Sequence, residues 1–187
     1  MNNTRIEKDA YFQVAIHFRG NFYVNTYEAT MSMLIETGTT REMTIALERM
    51  NHFLSFVLQH SVLINSEDTV SIQNYKKAGL KICELPEEPL DQVVGMILMQ
   101  KLNAIMEDRL IITDITIGST LSEGVRYNLV SEVAENILNG DYWWNKSCLS
   151  ISNEGCEDNQ DNIVKLFDDN EWAEIGLTWK ERSSQSS

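Results

Sequence analysis

The sequence is short of the residues that mark several protein classes. Two prolines, three cysteines and three histidines occur in 187 residues. Basic side chains are scarce too: 15 Lys and Arg stand against 28 Asp and Glu, for a formal charge of −13. Neutralising phosphates takes clustered Lys and Arg, so direct binding to nucleic acid is disfavoured, and docking on anionic lipid with it. Cys83, Cys148 and Cys156 are odd in number and lack C-x-x-C spacing. That writes neither a disulfide framework nor a zinc knuckle and predicts free thiols in a reducing cytoplasm. The start, MNNTRIEKDAYF, carries no apolar run behind a basic stretch, so no secretory signal is read there. The most apolar segment, Leu90 to Met106, is broken by Asp91, Gln92, Gln100, Lys101 and Asn103. It falls short of the roughly 20 apolar residues that cross a bilayer. The expected setting is therefore cytoplasmic, with no membrane contact.

What is present is an ordinary globular mix, 43% apolar and 23% charged, enough for one core. The pattern predicts a single domain over 1–181 and a mobile tail at 182–187. In 11–19, Phe12, Val14, Ile16 and Phe18 alternate with Gln13, His17 and Arg19, as in a half-buried strand. A Gly20-Asn21 loop and a second aromatic, β-branched run complete a hairpin over 11–35. Thr39 with Glu42 reads as a capping box opening a helix over about 40–60, with Met43, Ala46, Leu47, Met50, Phe53 and Leu54 on its apolar stripe. Residues 61–65 read as a short strand or the helix exit, and 67–78 as a shorter helix closed by Gly79. A strand over 80–85 follows.

Pro89 suits the first position of a second long helix, over 89–108. Its buried face is Val93, Val94, Ile97, Leu98, Leu102, Ile105 and Met106, with Leu90 and Lys101 flanking, and Gly95 predicts a close neighbour. Residues 110–118 read as a central strand with Ile111, Thr113, Ile115 and Ile117 on one face and Leu110, Ile112, Asp114 and Thr116 on the other. Beyond it, 125–180 reads as an irregular, β-rich acidic part, with VRYNLV, KSCLSI, IVKLF and AEIGLTW as short strand candidates and SEVAENIL as a short helix. The elements do not alternate as in a doubly wound sheet. They predict an α+β fold, a mostly antiparallel sheet with two long helices packed on one face.

Chemistry is thinly marked. Neither a dinucleotide-binding fingerprint nor a P-loop is present. His52 and His60 sit eight apart on one predicted helix and point apart, His17 lies on the outer face of the first strand, and no catalytic residue or cofactor is assigned. Asp114, a charge on an apolar strand, is the candidate for an alternative reading as a metal-dependent hydrolase. The stretch NEGCEDNQDN lacks the alternating ligands, central Gly and closing Glu of an EF-hand, and reads as a solvated acidic loop. In GDYWWN, Tyr142, Trp143 and Trp144 cannot all face one core, so at least one ring belongs at a surface. Ten acids against Lys146 and Lys165 lie between Glu132 and Glu171. Tyr142, Trp143, Trp144, Glu154, Glu157, Asp158 and Asp161 thus form a candidate surface for a partner protein with a basic face. In an alternative reading the rings stack on a nucleotide signal while Arg126 and Lys146 meet its phosphate. Nothing in the pattern opposes a homo-oligomer.

The segment LPEEPLDQVVGMILMQKLNAIMEDRLIITDITIGS, with GDYWWN further on, resembles small acidic accessory proteins of tailed bacteriophages, over about a third of the chain. The resemblance implies a viral setting inside the host cell and transfers no site residues. By analogy with acidic phage proteins that block host enzymes, it implies a non-enzymatic inhibitor or modulator of a host defence or nucleic-acid-handling protein.

Overall fold

The computed structural model describes residues 4–35, 39–131, 134, 138 and 140–157. Its elements are β1 (Arg5–Phe18), β2 (Asn21–Ile35), α1 (Thr40–His52), β3 (Val62–Asn65), α2 (Thr69–Lys77), β4 (Ile82–Leu85), α3 (Asp91–Met106), β5 (Leu110–Ser119), β6 (Arg126–Val130) and the short α4 (Asn153–Glu157). The strands form one sheet in the order β4-β3-β1-β2-β5-β6. β1–β2, β2–β5 and β5–β6 pair antiparallel, whereas β1–β3 and β3–β4 pair parallel.

This corrects the expected architecture. The class is α+β, but the sheet is mixed, and one helical run is long rather than two. α1 continues without a break into a π-helical stretch, Phe53–Leu58, giving a run of 19 residues, and α3 has 16. The parallel part arises because α1 carries the chain across the sheet before β3, and α2 carries it back before β4.

The β1–β2 hairpin is longer than its aromatic alternation suggests, because polar residues as far out as Arg5 still pair, Arg5 opposite Leu34. Its turn is Arg19-Gly20 and not Gly20-Asn21. Both turn residues have positive φ, 50° and 76°, as a tight hairpin following the strand twist demands. Phe12, Val14, Ile16, Ala29, Met31 and Met33 point from the hairpin into the main core, where they meet α1 and α3. On the opposite face a small second cluster, Val62, Ile64, Ile72 and Ile82, lies under α2. His17 is on that face, as predicted, yet it is buried against the Tyr75 ring and faces Asp68.

In β5 the predicted faces fail midway. Leu110, Ile112, Ile115 and Ile117 are all buried. A bulge at Thr113, where the pairing with β2 shifts between Ser32 and Met33, turns Ile112 and Ile115 to the same side. Asn103 of α3 steadies that site: its Nδ2 donates to the Ile112 carbonyl at 3.2 Å and its Oδ1 accepts the Ile112 N–H at 2.7 Å.

Helix ends follow their residues closely. Thr39 Oγ1 accepts the Glu42 N–H, but the Glu42 carboxylate turns to Arg109, so half of the capping box forms. Gly79 takes φ 76° after α2, as predicted. Pro89 lies one residue before the N-cap, Leu90, and not at the first helical position. A Cβ on Gly95 would lie 2.6 Å from Leu129 Cδ1 and 2.7 Å from Ile117 Cγ2, so side chains of β5 and β6 are the close neighbours.

Among the described residues β6 is the one strand after residue 119; KSCLSI is irregular, and IVKLF, AEIGLTW and the tail lie outside them. Cys148 and Cys156 form a disulfide with Cα atoms 5.6 Å apart, which corrects the expectation of three free thiols. Cys83 is free and buried, and burial pushes its thiol pKa up.

Candidate functional site

A cavity of about 340 Å³ opens where the start of α3 meets the turn end of the β1–β2 hairpin. Ile16, Phe18, Pro89, Leu90 and Leu121 supply apolar wall, and Tyr23 and Tyr127 add two phenol rings. Asn25, Asp91, Gln92 and Ser122 are the polar residues, and among the described residues no Lys, Arg or His lines the space. Tyr23, Leu90 and Leu121 are exposed at the rim, whereas Asn25 is 1% exposed at the base.

The polar base is built from four segments. Asn25 Oδ1 accepts from Thr120 Oγ1 at 2.8 Å and from the Leu121 N–H at 3.3 Å, fixing the β5–β6 connection to β2. Both Asp91 oxygens accept from Ser119 Oγ, at 3.1 and 3.0 Å, joining α3 to the end of β5. Beneath them the Tyr27 hydroxyl lies near Asn25 and Asp91, but neither meets hydrogen-bond geometry, and Asn25 Nδ2 is also without a partner. Burial, and after it the Asp91 charge, push the Tyr27 pKa up, so this ring stays a neutral phenol.

The residues singled out from sequence fall elsewhere. Trp143 and Trp144 are 2% and 4% exposed, in a short 3₁₀ turn packed on α3, which corrects their reading as exposed anchors. Each indole N–H has a buried acceptor, the Glu84 carbonyl for Trp143 and the Leu138 carbonyl for Trp144. The physical reason is that the 3₁₀ turn points both rings inward, where an extended strand would have split them. Tyr142 is the surface ring, 45% exposed and stacked on Trp144 with centroids 4.6 Å apart. Glu154 is exposed and pairs with Lys76. Glu157 ends α4, and Asp158 and Asp161 lie outside the described residues.

Arg126 and Lys146 do not converge on the rings. Arg126 pairs with Glu28 on the open face of the sheet, and Lys146 pairs with Asp141. Asp114 is on that open face as well, paired with Arg5 and accepting from Thr113 Oγ1. Among the described residues no group of three or more His, Cys, Asp or Glu could hold a metal ion, so Asp114 has no co-ligands there. His52 stacks on Phe56 and His60 occupies a turn with φ 61°.

The residue that sequence reasoning misplaced most is Lys101. It is 0% exposed, and its ammonium donates to the Trp143 carbonyl at 2.7 Å, the Lys146 carbonyl at 2.8 Å and Cys148 Sγ at 3.6 Å. Burial lowers its pKa to about 7. A Lys inside an otherwise apolar helix stripe was the one available signal.

Fold and cavity together define an α+β protein with a six-stranded mixed sheet and an amphipathic pocket at the start of its central helix. The crystal structure of an uncharacterized protein from Wolinella succinogenes is similar, with a TM-score of 0.50 and 10% identity over 68% of this chain and 97% of that one. This likeness is one of fold. Neither a family model nor a curated protein matches the chain. Among the described residues no helix is long and apolar enough to cross a membrane.

Proposed function

We propose that the protein is a non-enzymatic binding protein whose ligand is a small molecule held in the cavity between α3 and the turn end of the hairpin. The observation that carries this reading is the cavity itself, about 340 Å³, with an exposed apolar rim and polar groups gathered at its base. Small-molecule sites commonly have that make-up, with a few placed polar groups and a volume of roughly 300 Å³ or more. Among the described residues the lining holds no Cys, His or Lys and no pair of carboxylates, which favours binding over catalysis.

The partner-protein reading, a phage-type inhibitor docking on a basic host surface, loses support with its two indole anchors inside the core. The nucleotide reading loses its phosphate contacts, because Arg126 and Lys146 are engaged elsewhere and no basic residue among those described lines the cavity.

A fragment library screened by ¹H–¹⁵N NMR tests the proposal. Fragments are expected to shift the amides of Tyr23, Asn25, Leu121 and Tyr127, and Leu121→Trp at the rim is expected to abolish those shifts while the protein stays folded. Fragment shifts that map elsewhere, or that survive Leu121→Trp unchanged, would remove the cavity as the site.

A further inference from the structure

Asp91 is a half-buried carboxylate with no cationic partner among the described residues. Among the described residues nine ion pairs engage other acids, and none includes Asp91. Its single hydrogen-bond donor is the Ser119 hydroxyl, whose one proton is shared between both oxygens. A carboxylate has about four lone-pair positions, so Asp91, which lines the cavity, keeps accepting capacity beyond Ser119 and the Tyr27 hydroxyl beneath it. The start of α3 offsets part of the charge, as acids in a first helical turn generally do. A helix start alone, however, does not call for aromatic rings around the acid.

Those rings are the second, independent feature. The phenols of Tyr23 and Tyr127 line the same cavity, and aromatic faces attract cations through their quadrupole. Phe18 is engaged already, since the Arg19 guanidinium lies 4.9 Å from its centroid. Among the described residues no Lys, Arg or His lines the cavity to compete for Asp91, and the chain as a whole is strongly acidic.

Resting on the small-molecule reading of this cavity, we infer that its ligand is an organic ammonium cation, a one-ring-sized amine whose charged nitrogen meets Asp91 while its body lies between Tyr23, Tyr127 and Leu121. A phosphate or carboxylate ligand would face Asp91 with no basic residue to offset the repulsion. A purely apolar ligand would cover the carboxylate and leave it desolvated without a partner. An amine satisfies both constraints.

Three isosteric probes read this directly: tyramine (cation), 4-ethylphenol (neutral) and 4-hydroxyphenylacetate (anion), titrated into the full chain and followed by NMR at the cavity amides. Tyramine is expected to bind about tenfold or more tightly than 4-ethylphenol, with the anion weakest. Asp91→Asn keeps an acceptor for Ser119 and should erase the preference for tyramine. Tyr127→Leu, which leaves Asp91 in place, should weaken tyramine about threefold or more and serves if Asp91→Asn does not fold. Equal binding of the three probes in the cavity would overturn the amine inference and leave the small-molecule reading standing. Preference for the anion, or a tyramine preference that persists in Asp91→Asn, would also overturn it. Failure of all three probes, and of every library fragment, to reach the cavity amides would overturn both.

Discussion

Lys101 Nζ lies 2.7 Å from the carbonyl oxygen of Trp143 and 5.5 Å from the centroid of that residue's ring. One buried amine therefore ties the 3₁₀ turn of the C-terminal part to the middle of α3. The contact also sets a pH dependence. The ordinary Lys pKa of 10.5 applies to the unfolded chain, and the folded value is about 7. Between those values the unfolded chain binds more protons, so stability rises with pH and falls as pH drops through about 7. The two carbonyls favour the ammonium and oppose the effect of burial. From pH 7 to 9 the gain is expected on the order of 1–2 kcal/mol. Above pH 9 Cys83, whose folded pKa is raised from its ordinary 9.0, takes stability back as pH climbs. Urea unfolding at pH 7, 8 and 9 checks this, with Lys101→Met expected to flatten the pH 7–9 slope; an equal slope in the variant would assign it to another group.

Asn103 closes the bulge in β5 by bonding both the N–H and the carbonyl of Ile112. Asn103→Leu leaves both groups unpaired in a partly buried place. The expected loss is about 2–3 kcal/mol, read from the urea midpoint at unchanged slope. Asn103→Asp keeps the acceptor for the N–H and should cost less. A loss below about 0.5 kcal/mol for Asn103→Leu would show that water or the strand itself satisfies the bulge.

The legible parts of this fold are those governed by local pattern. The inward alternation of Phe12, Val14 and Ile16, the stop of α2 at Gly79 and the apolar face of α3 all follow from neighbours a few positions away. The illegible parts depend on residues distant in sequence. The bulge at Thr113 exists because β2 pairs there with a register shift, and no alternation rule within 110–118 encodes it. Lys101 flanks its stripe in the sequence, and what buries it is a pair of acceptor carbonyls more than 40 residues away. The cavity escaped notice for the same reason, since Asn25, Asp91 and Leu121 come from three separate segments. Tyr142 as the surface ring was foreseeable in kind, one of three, although which one depended on the direction of a 3₁₀ turn.

Gly95→Ala sets helix propensity against packing. Alanine gains about 1 kcal/mol in a helix interior. The added methyl would lie 2.6 and 2.7 Å from Leu129 Cδ1 and Ile117 Cγ2. Leu129 can swing its end away, but Ile117 is β-branched and fully buried, so the strand must move. Overpacking of this kind costs about 1–3 kcal/mol, and the net is a predicted destabilisation of about 1–2 kcal/mol by thermal or urea unfolding. A stabilised Gly95→Ala variant would show that α3 stands further from β5 and β6 in solution.

Tyr142 and Trp144 stack face to face, yet their truncations should differ several-fold. Tyr142→Ala removes a half-exposed ring and one stacking contact, at a cost of about 0.5–1.5 kcal/mol. Trp144→Ala empties a buried site, breaks the edge contact with Trp143 and removes one of two donors to the Leu138 carbonyl, leaving Asn145 as the other. About 3–5 kcal/mol is expected, enough to unfold a marginal domain. Trp144→Phe, which keeps most of the volume, should recover more than half of that loss. Urea unfolding of the three variants decides the matter. A Trp144→Ala cost no larger than that of Tyr142→Ala would mean that the indole is exposed in solution, and would return the aromatic cluster to consideration as a partner-binding surface.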